Sequence, residues 1–403
     1  MWEEAKNAVE KKEKVSILAL DMSAAYDLCN HQIMTEKCRI LRLGKNAVNY
    51  IAHFLSERSQ FVELGGSCSA TLNTGPNGVV QGGKSSGELF LYYLNDLPHQ
   101  LALKIAEKDK ANSVGKEYVD DISILSKANT LEDLKRQIQF DFLKVKRYLV
   151  NHRMVINADK SQLMYLHPPK EKVNLELRLD GNVINHQETM KILGVTLDES
   201  MKFDSHLVSG KKCMTQAINA KTAVLRTVKP FISSQSLALV GASLVNSTVL
   251  YAAPLWGSTS KTNMDKIQAA QIRAARVITS KSWQRSKQKE HRQETLNSLN
   301  WPNVNQIVTS AILNLTKKAT SNKSSEGLNN MFKVFKPQNQ RGEPTSRVEH
   351  KGKSNKKNDT FSVNASVLFN SQTQDMKNPL LTIKRFKSKL KKVSRETNLL
   401  PTH

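Results

Sequence analysis

Tyr118-Val119-Asp120-Asp121-Ile122-Ser123-Ile124-Leu125, read together with Val15-Ser16-Ile17-Leu18-Ala19-Leu20-Asp21 far upstream, decides how this chain folds. Tyr118, Asp120, Ile122 and Ile124 alternate with Val119, Asp121, Ser123 and Leu125, the period of two expected of a half-buried strand. The two carboxylates fall at the bend of a tight hairpin. The upstream run is apolar and partly β-branched, so it reads as a buried strand that delivers Asp21 to the edge of the sheet. Between the two lies a Gln-Gly element, Gln81-Gly82.

Mg²⁺ takes oxygen ligands in a strict octahedron and usually keeps waters or phosphates beside one or two carboxylates. Three converging aspartates can therefore hold two such ions, and a pair of ions roughly 3.5 to 4 Å apart stabilises both oxygens of an in-line phosphoryl displacement. Taken alone, Asp120-Asp121 reads as an ordinary solvated turn, where Asp is favoured for its local backbone hydrogen bonds. The order of the elements is what points to metal chemistry.

The 403 residues suffice for two or three domains of roughly 150 residues each. Lys and Arg number 60 against 36 Asp and Glu, a formal charge of +24, so the expected electrostatic partner is a polyanion and nucleic acid fits best. Residues 301–403 carry 19 basic and 6 acidic side chains, which either meet phosphate backbones or merely solubilise or target the chain. Four cysteines without CxxC spacing exclude a disulfide framework or zinc knuckle. The charged start lacks the apolar core of a signal peptide, and no apolar run approaches a membrane span. The chain is expected in the nucleus or cytoplasm, with no membrane partner.

Residues 33–41 and 46–58 read as helices, the second with Asn46 as its N-cap. A Gly65-Gly66 hairpin leads into the glycine-rich loop 75–83 and a helix over 89–97. Thr130 opens a long amphipathic helix whose apolar face is Leu131, Leu134, Ile138, Phe142, Val145 and Leu149. Asp180-Gly181-Asn182 marks a hairpin, and 191–198 reads as one strand interrupted by a glycine that admits a close neighbour. Residues 205–280 turn helical, with a capping signal at 262–265. Lys266, Arg273 and Arg276 lie off the apolar stripe of the helix that follows, where a nucleic-acid backbone can meet them. Segments 321–327, 336–344 and 350–358 are polar, lysine-rich and aperiodic, as disordered chain is, and a short basic helix is expected near 380–393.

Five pieces carry a resemblance: 20–27 with Asn30-His31, Gly78-Val79-Val80-Gln81-Gly82 running into Asn95-Asp96-Leu97-Pro98, Tyr118-Val119-Asp120-Asp121, Asn157-Ala158-Asp159-Lys160-Ser161-Gln162, and Leu193-Gly194-Val195-Thr196-Leu197-Asp198. In this order they resemble the palm and thumb of a reverse transcriptase of the non-LTR (LINE-like) retrotransposon branch. The resemblance implies an α+β fold: a polymerase-like palm, with an antiparallel sheet packed on helices, then a helical thumb and a basic, largely disordered tail. Boundaries fall at 1–170 for the palm with a remnant of fingers, 171–204 for the hairpin and primer-grip region, 205–300 for the thumb and 301–403 for the tail.

The same resemblance implies that Asp21, Asp120 and Asp121 are the catalytic, metal-binding carboxylates, that the Met22 backbone carbonyl is a further ligand, and that two Mg²⁺ serve as cofactors, for which Mn²⁺ can substitute. Tyr26 would lie under the incoming sugar and exclude a ribose 2′-hydroxyl. Gln81 and Gly82 would line nucleotide and template, Lys160 would approach the triphosphate, and Leu193-Gly194 would support the primer end. The implied partners are an RNA template, a DNA primer and dNTPs. Only about twenty residues precede the first motif, where the family places its fingers, so the resemblance implies a chain truncated at its start. Val80, Gly83 and Gly87 depart from the family's usual Pro, Ser and Pro. The opposing expectation is a decayed or domesticated fragment that binds nucleic acid through its basic surface without catalysis.

Overall fold

The computed structural model describes residues 1–102, 113–168, 175–179, 181–280, 288–335, 347–350, 361–378 and 381–396. The chain divides into two compact units, Met1–Ile192 and Leu193–His403.

The first unit opens with α1 (Trp2–Glu10) and β1 (Lys14–Ser23), followed by α2 (His31–Ile40) and α3 (Lys45–Leu55). Short strands β2 (Ser59–Gln60), β3 (Glu63–Leu64), β4 (Ser67–Cys68) and β5 (Leu72–Asn73) form a nested hairpin, β3 pairing with β4 and β2 with β5. Helices α4 (Ser86–Leu94) and α5 (Leu97–Ala102) precede β6 (Ser113–Tyr118) and β7 (Asp121–Ala128). Then come α6 (Leu131–Asn151), β8 (Val155–Leu166), the hairpin β9 (Glu176–Leu179) and β10 (Asn182–Asn185), and β11 (Thr189–Ile192).

The main sheet has the order β6-β7-β1-β8, with every neighbouring pair antiparallel. β1 is apolar because it is central: Val15, Ile17, Leu18 and Leu20 are all buried. α6 presents the face read from its periodicity, with Leu134, Ile138, Phe142, Val145 and Leu149 buried, and Thr130 caps its start by accepting from the Asp133 N–H at 3.1 Å. Phe90, Tyr93 and Tyr165 join them in one core cluster, each such side chain contributing about 1.5 to 3 kcal/mol of burial.

Several boundaries differ from expectation: the helix expected over 46–58 ends at Leu55, and that expected over 89–97 is two helices, α4 and α5, parted by a turn at 95–96. Gly44, not Asn46, is the N-cap of α3, since the chain enters the helix two residues earlier. The 191–198 run is not one strand: β11 ends at Ile192, Leu193 and Gly194 both take positive φ (47° and 79°), and β12 (Val195–Asp198) follows. Two consecutive left-handed residues reverse a strand, as in a two-residue hairpin turn.

The second unit begins at that turn. After β12 come α7 (Met214–Val228), α8 (Ser234–Gly241), α9 (Ser247–Leu250), α10 (Ala253–Trp256), α11 (Lys261–Thr279), α12 (Gln288–Ser298), α13 (Val304–Thr320) and α14 (Glu326–Asn329). It closes with β13 (Phe332–Phe335), β14 (Arg347–His350), α15 (Phe361–Asn370), α16 (Gln374–Lys377) and α17 (Ile383–Glu396). α11 buries Ile267, Ala270, Ala274 and Ile278, and its cap is Ser260 rather than a residue of 262–265. The fully buried Gln271 donates to Asn246 Oδ1 (2.8 Å) and the Pro302 carbonyl (2.9 Å), so its amide is satisfied inside the bundle.

The region expected to be a tail of low order contains packed helices and the β13–β14 pair, with 321–325 the only non-helical part of the expected 321–327 stretch. α13 buries Val304, Ile307, Val308, Ile312 and Leu313 behind a reciprocal Asn303–Gln306 cap, and it packs on α15 and α17. Averaging charge over the last hundred residues hid this apolar stripe. The basic helix expected near 380–393 is α17, while 336–344 and nearly all of 350–358 lie outside the described residues. Among the described residues no helix is long and apolar enough to cross a membrane.

Candidate active site

Asp21 directly follows the part of β1 that pairs with β7. The ladder runs to Leu20 opposite Ile122, so its continuation sets Asp21 against Asp121, the first residue of β7. Tyr118 pairs with Asp121 across the β6–β7 turn, leaving Val119 and Asp120 as the two turn residues. Val119 has φ 58°, a left-handed conformation that a β-branched residue adopts only under strain, and such outliers gather at functional sites.

Asp121 senses the other two carboxylates. The Asp121 carboxyl is held above its ordinary value, first by the protein around it and then by the charges of Asp120 and Asp21, although the residue as a whole is exposed. Among the described residues no three acidic, His or Cys side chains already stand at ligating positions around a common point. One observation nevertheless fits a divalent cation: Asp21 Oδ2 is buried without a hydrogen-bond partner. A buried carboxylate oxygen without a donor is costly unless a cation meets it, and Lys160 Nζ does so only at ion-pair distance, 3.9 Å.

β8 shapes the floor under Asp21. Ala19 pairs with Gln162 and Asp21 with Asn157, so the single residue Leu20 on β1 faces the four residues 158–161 on β8, a bulge that pushes Lys160 outward. Lys160 Nζ lies 3.9 Å from Asp21 Oδ2, too far for a hydrogen bond, and is largely exposed. Ser161 replaces the missing ladder bond: its Oγ accepts from the Asp21 N–H (3.3 Å) and donates to the Asn157 carbonyl (2.6 Å). Sequence reading assigned Ser161 no role, and nothing in its spacing signals one.

Tyr26 belongs to the same neighbourhood. Burial first, then Asp120, then Cys29 raise its phenol above the ordinary value, and its ring stacks on Phe90 at 4.8 Å between centroids. The loop before α4 is laced to the turn carrying Tyr26. Val79 N–H donates to the Tyr26 carbonyl (2.8 Å), Gly78 N–H to the Cys29 carbonyl (2.8 Å), and His31 Nε2 contacts the Gly78 carbonyl at 2.9 Å. Gly78 is favoured there by its φ of 101°, a conformation that L side chains rarely adopt. Gln81 and Gly82 follow as exposed residues, Gly82 at φ 79°. Met22 is buried, its backbone opposite Ile156. Leu193 and Gly194 belong to the second unit, where the Tyr251 hydroxyl donates to the Leu193 carbonyl and stands 3.4 Å from where a Cβ on Gly194 would be.

Two carboxylates outside the triad hold the frame. Asp141 is 2 % exposed; its Oδ2 accepts from Ser113 Oγ (2.6 Å) and Ser126 Oγ (2.9 Å), and its Oδ1 accepts from Gln137 Nε2 (3.0 Å). Ser113 and Ser126 are register partners, so one carboxylate on α6 clamps both strands of the hairpin at the end away from Asp120. A polar residue three places after Ile138, beside the apolar stripe, was the signal. Asp96, quoted within a motif, accepts from both buried Lys37 and Tyr148; burial opposes its ionisation, yet these bonds hold its pKa below the ordinary value. Glu117, opposite Ile122 on the hairpin, is pushed up to about 7 by burial and then by Asp96, against a smaller lowering from Lys37.

Residues 1–197 match the family described as reverse transcriptase (RNA-dependent DNA polymerase). The RNA-directed DNA polymerase from mobile element jockey of Drosophila funebris is 25% identical over 281 residues, covering 69% of this chain and 30% of that protein. The probable RNA-directed DNA polymerase from transposon BS of Drosophila melanogaster is 26% identical over 280 residues, covering 68% and 30%. The chain thus spans about 30% of the length of these relatives. Apo telomerase from Candida tropicalis aligns at 13% identity with a TM-score of 0.37, over 76% of this chain and 48% of that one.

Proposed function

We propose that the chain, whose residues 1–197 match the reverse transcriptase family, is the catalytic core of an RNA-directed DNA polymerase of the non-LTR retrotransposon kind. It extends a DNA primer with dNTPs on an RNA template. The first unit is its palm, and Asp21, Asp120 and Asp121 are its catalytic carboxylates. The observation that supports the reading most is the β1–β7 register, whose continuation sets Asp21 beside the β6–β7 turn, together with an Asp21 Oδ2 that has no hydrogen-bond donor.

Those three side chains, with the Met22 carbonyl, would hold divalent cations. Mg²⁺ bound there supplies charge that lowers the pKa of the primer 3′-hydroxyl and stabilises the entering and leaving oxygens. The chain's own groups do the rest. Ser161 fixes the Asp21 backbone, and Tyr26, backed by Phe90, presents a rigid ring to the incoming sugar and disfavours a 2′-hydroxyl. Gln81 and Gly82 line the nucleotide and template. Lys160 sets a cation beside Asp21, within reach of a triphosphate. Leu193-Gly194 supports the primer end.

Primer extension on poly(rA)/oligo(dT), comparing the chain with Asp120→Asn and Asp121→Asn, tests the reading. Extension lost in both variants is expected. No extension by the unaltered chain above that of the variants, with RNA binding retained, overturns it in favour of a nucleic-acid-binding chain without catalysis.

A further inference from the structure

α17 is anchored by one face and cationic on the other. Phe386 and Leu390 are buried, Phe386 stacks on Phe369 at 6.5 Å, and Lys317 of α13 lies 5.8 Å from the Phe386 ring centroid while donating to the Asn378 carbonyl at 3.1 Å. Lys384, Arg385, Lys387 and Lys391 are exposed on the remainder of the helix, Lys384, Lys387 and Lys391 at successive spacings of three and four. Lys389, nearer the anchored side, pairs with Asp375; Lys384, Arg385 and Lys387 enter no ion pair among the described residues.

We propose that this outward face is a docking strip for the phosphodiester backbone of a nucleic-acid duplex. A membrane surface is the other polyanion that attracts basic amphipathic helices, but it binds them by taking up their apolar face. Here Phe386 and Leu390 are already inside the protein's own core, so only charge is left to offer. Single strands are gripped by aromatic side chains stacked on bases, and the one aromatic residue of α17 is buried. From Lys384 to Lys391 the helix rises about 10 Å, against a duplex charge every roughly 1.7 Å, so several phosphates fall within reach. The strip reads no sequence, and it works whether or not the chain extends primers.

The full chain is titrated with a fluorescent DNA duplex of about 20 base pairs in EDTA, between about 50 and 200 mM salt. Lys384→Gln/Arg385→Gln/Lys387→Gln should weaken binding about tenfold at the upper salt end and flatten the slope of log affinity on log salt by roughly 2 to 3, at about 0.9 per phosphate contact. Lys384→Arg/Lys387→Arg should retain the original slope. Should the triple variant melt early, the single changes Lys384→Gln and Lys387→Gln, each expected to flatten the slope by about 0.9, carry the same decision. Unchanged affinity and slope overturn the proposal, as does loss of binding to phosphatidylcholine/phosphatidylserine vesicles with duplex binding intact. Because the titration is metal-free, a chain that fails to extend primers can still pass it, and a working polymerase can fail it.

Discussion

The two ends of the β6–β7 hairpin are built on opposite principles. At the turn, Val119 is strained and the carboxylates of Asp120 and Asp121 repel each other and Asp21, whose Oδ2 has no donor. At the far end, Ser113, Ser126 and Gln137 together supply a donor to each oxygen of buried Asp141. Strain and like charge persist at one end of an element only where the rest of the structure over-determines it. The clamp at Asp141 is that determination.

Changes at the two ends should therefore separate activity from stability. The largest effect is expected for Asp121→Asn, which should lower primer extension by at least about 10³-fold, since metal stabilisation of the transition state is worth several kcal/mol. Its melting temperature should hold or rise, because like-charge repulsion is relieved; a clear fall would break the contrast. Asp141→Ala should do the reverse, leaving three donors without an acceptor and costing about 3 kcal/mol in denaturant unfolding. Asp141→Asn, which keeps an acceptor, should cost about 1 kcal/mol.

Glu117, between the two ends, sharpens the comparison through pH. Its folded pKa of about 7 lies above that of the unfolded chain, so the folded state binds this proton more tightly. The resulting stability is complete below the ordinary glutamate value and is lost as pH rises through about 7, with a slope of at most about 1.4 kcal/mol per unit. Melting curves across that range should show the decline in the unaltered chain and lack it in Glu117→Gln. The smallest effect belongs to Val119→Gly, which should stabilise by about 1 kcal/mol by removing the strained φ, while loosening the turn and reducing extension several-fold. Unchanged stability would mean the turn bears no strain.

Much of this arrangement was legible in the chain. Alternation at 118–125, the apolar run at 15–20 and the 3.6-residue stripe of α6 each report burial on a face, and burial is what periodicity records. The register that brings Asp21 to Asp121 was not legible, because pairing between strands a hundred residues apart is fixed by the assembled core. Ser161 was missed because it serves another segment's backbone, which local pattern does not contain, whereas Asp141 stood out beside the α6 stripe but its partners on the hairpin strands did not. The turn at Leu193-Gly194 was hidden because Leu rarely takes positive φ. α13 was hidden by the lysines around it.

The bulge at 158–161 also acts as a parity device. Asn157 and Gln162 are five residues apart, an odd separation that in a regular strand would put them on opposite faces, yet both pair with residues of β1 that share one face, Asp21 and Ala19. Removing a single residue would leave the two four apart, an even separation that a regular strand accommodates with both on one face. The pairing of Val155, Ile156 and Asn157 should therefore survive a one-codon deletion, which would instead take away the slack that brings Ser161 to the Asp21 N–H and sets Lys160 outside the ladder.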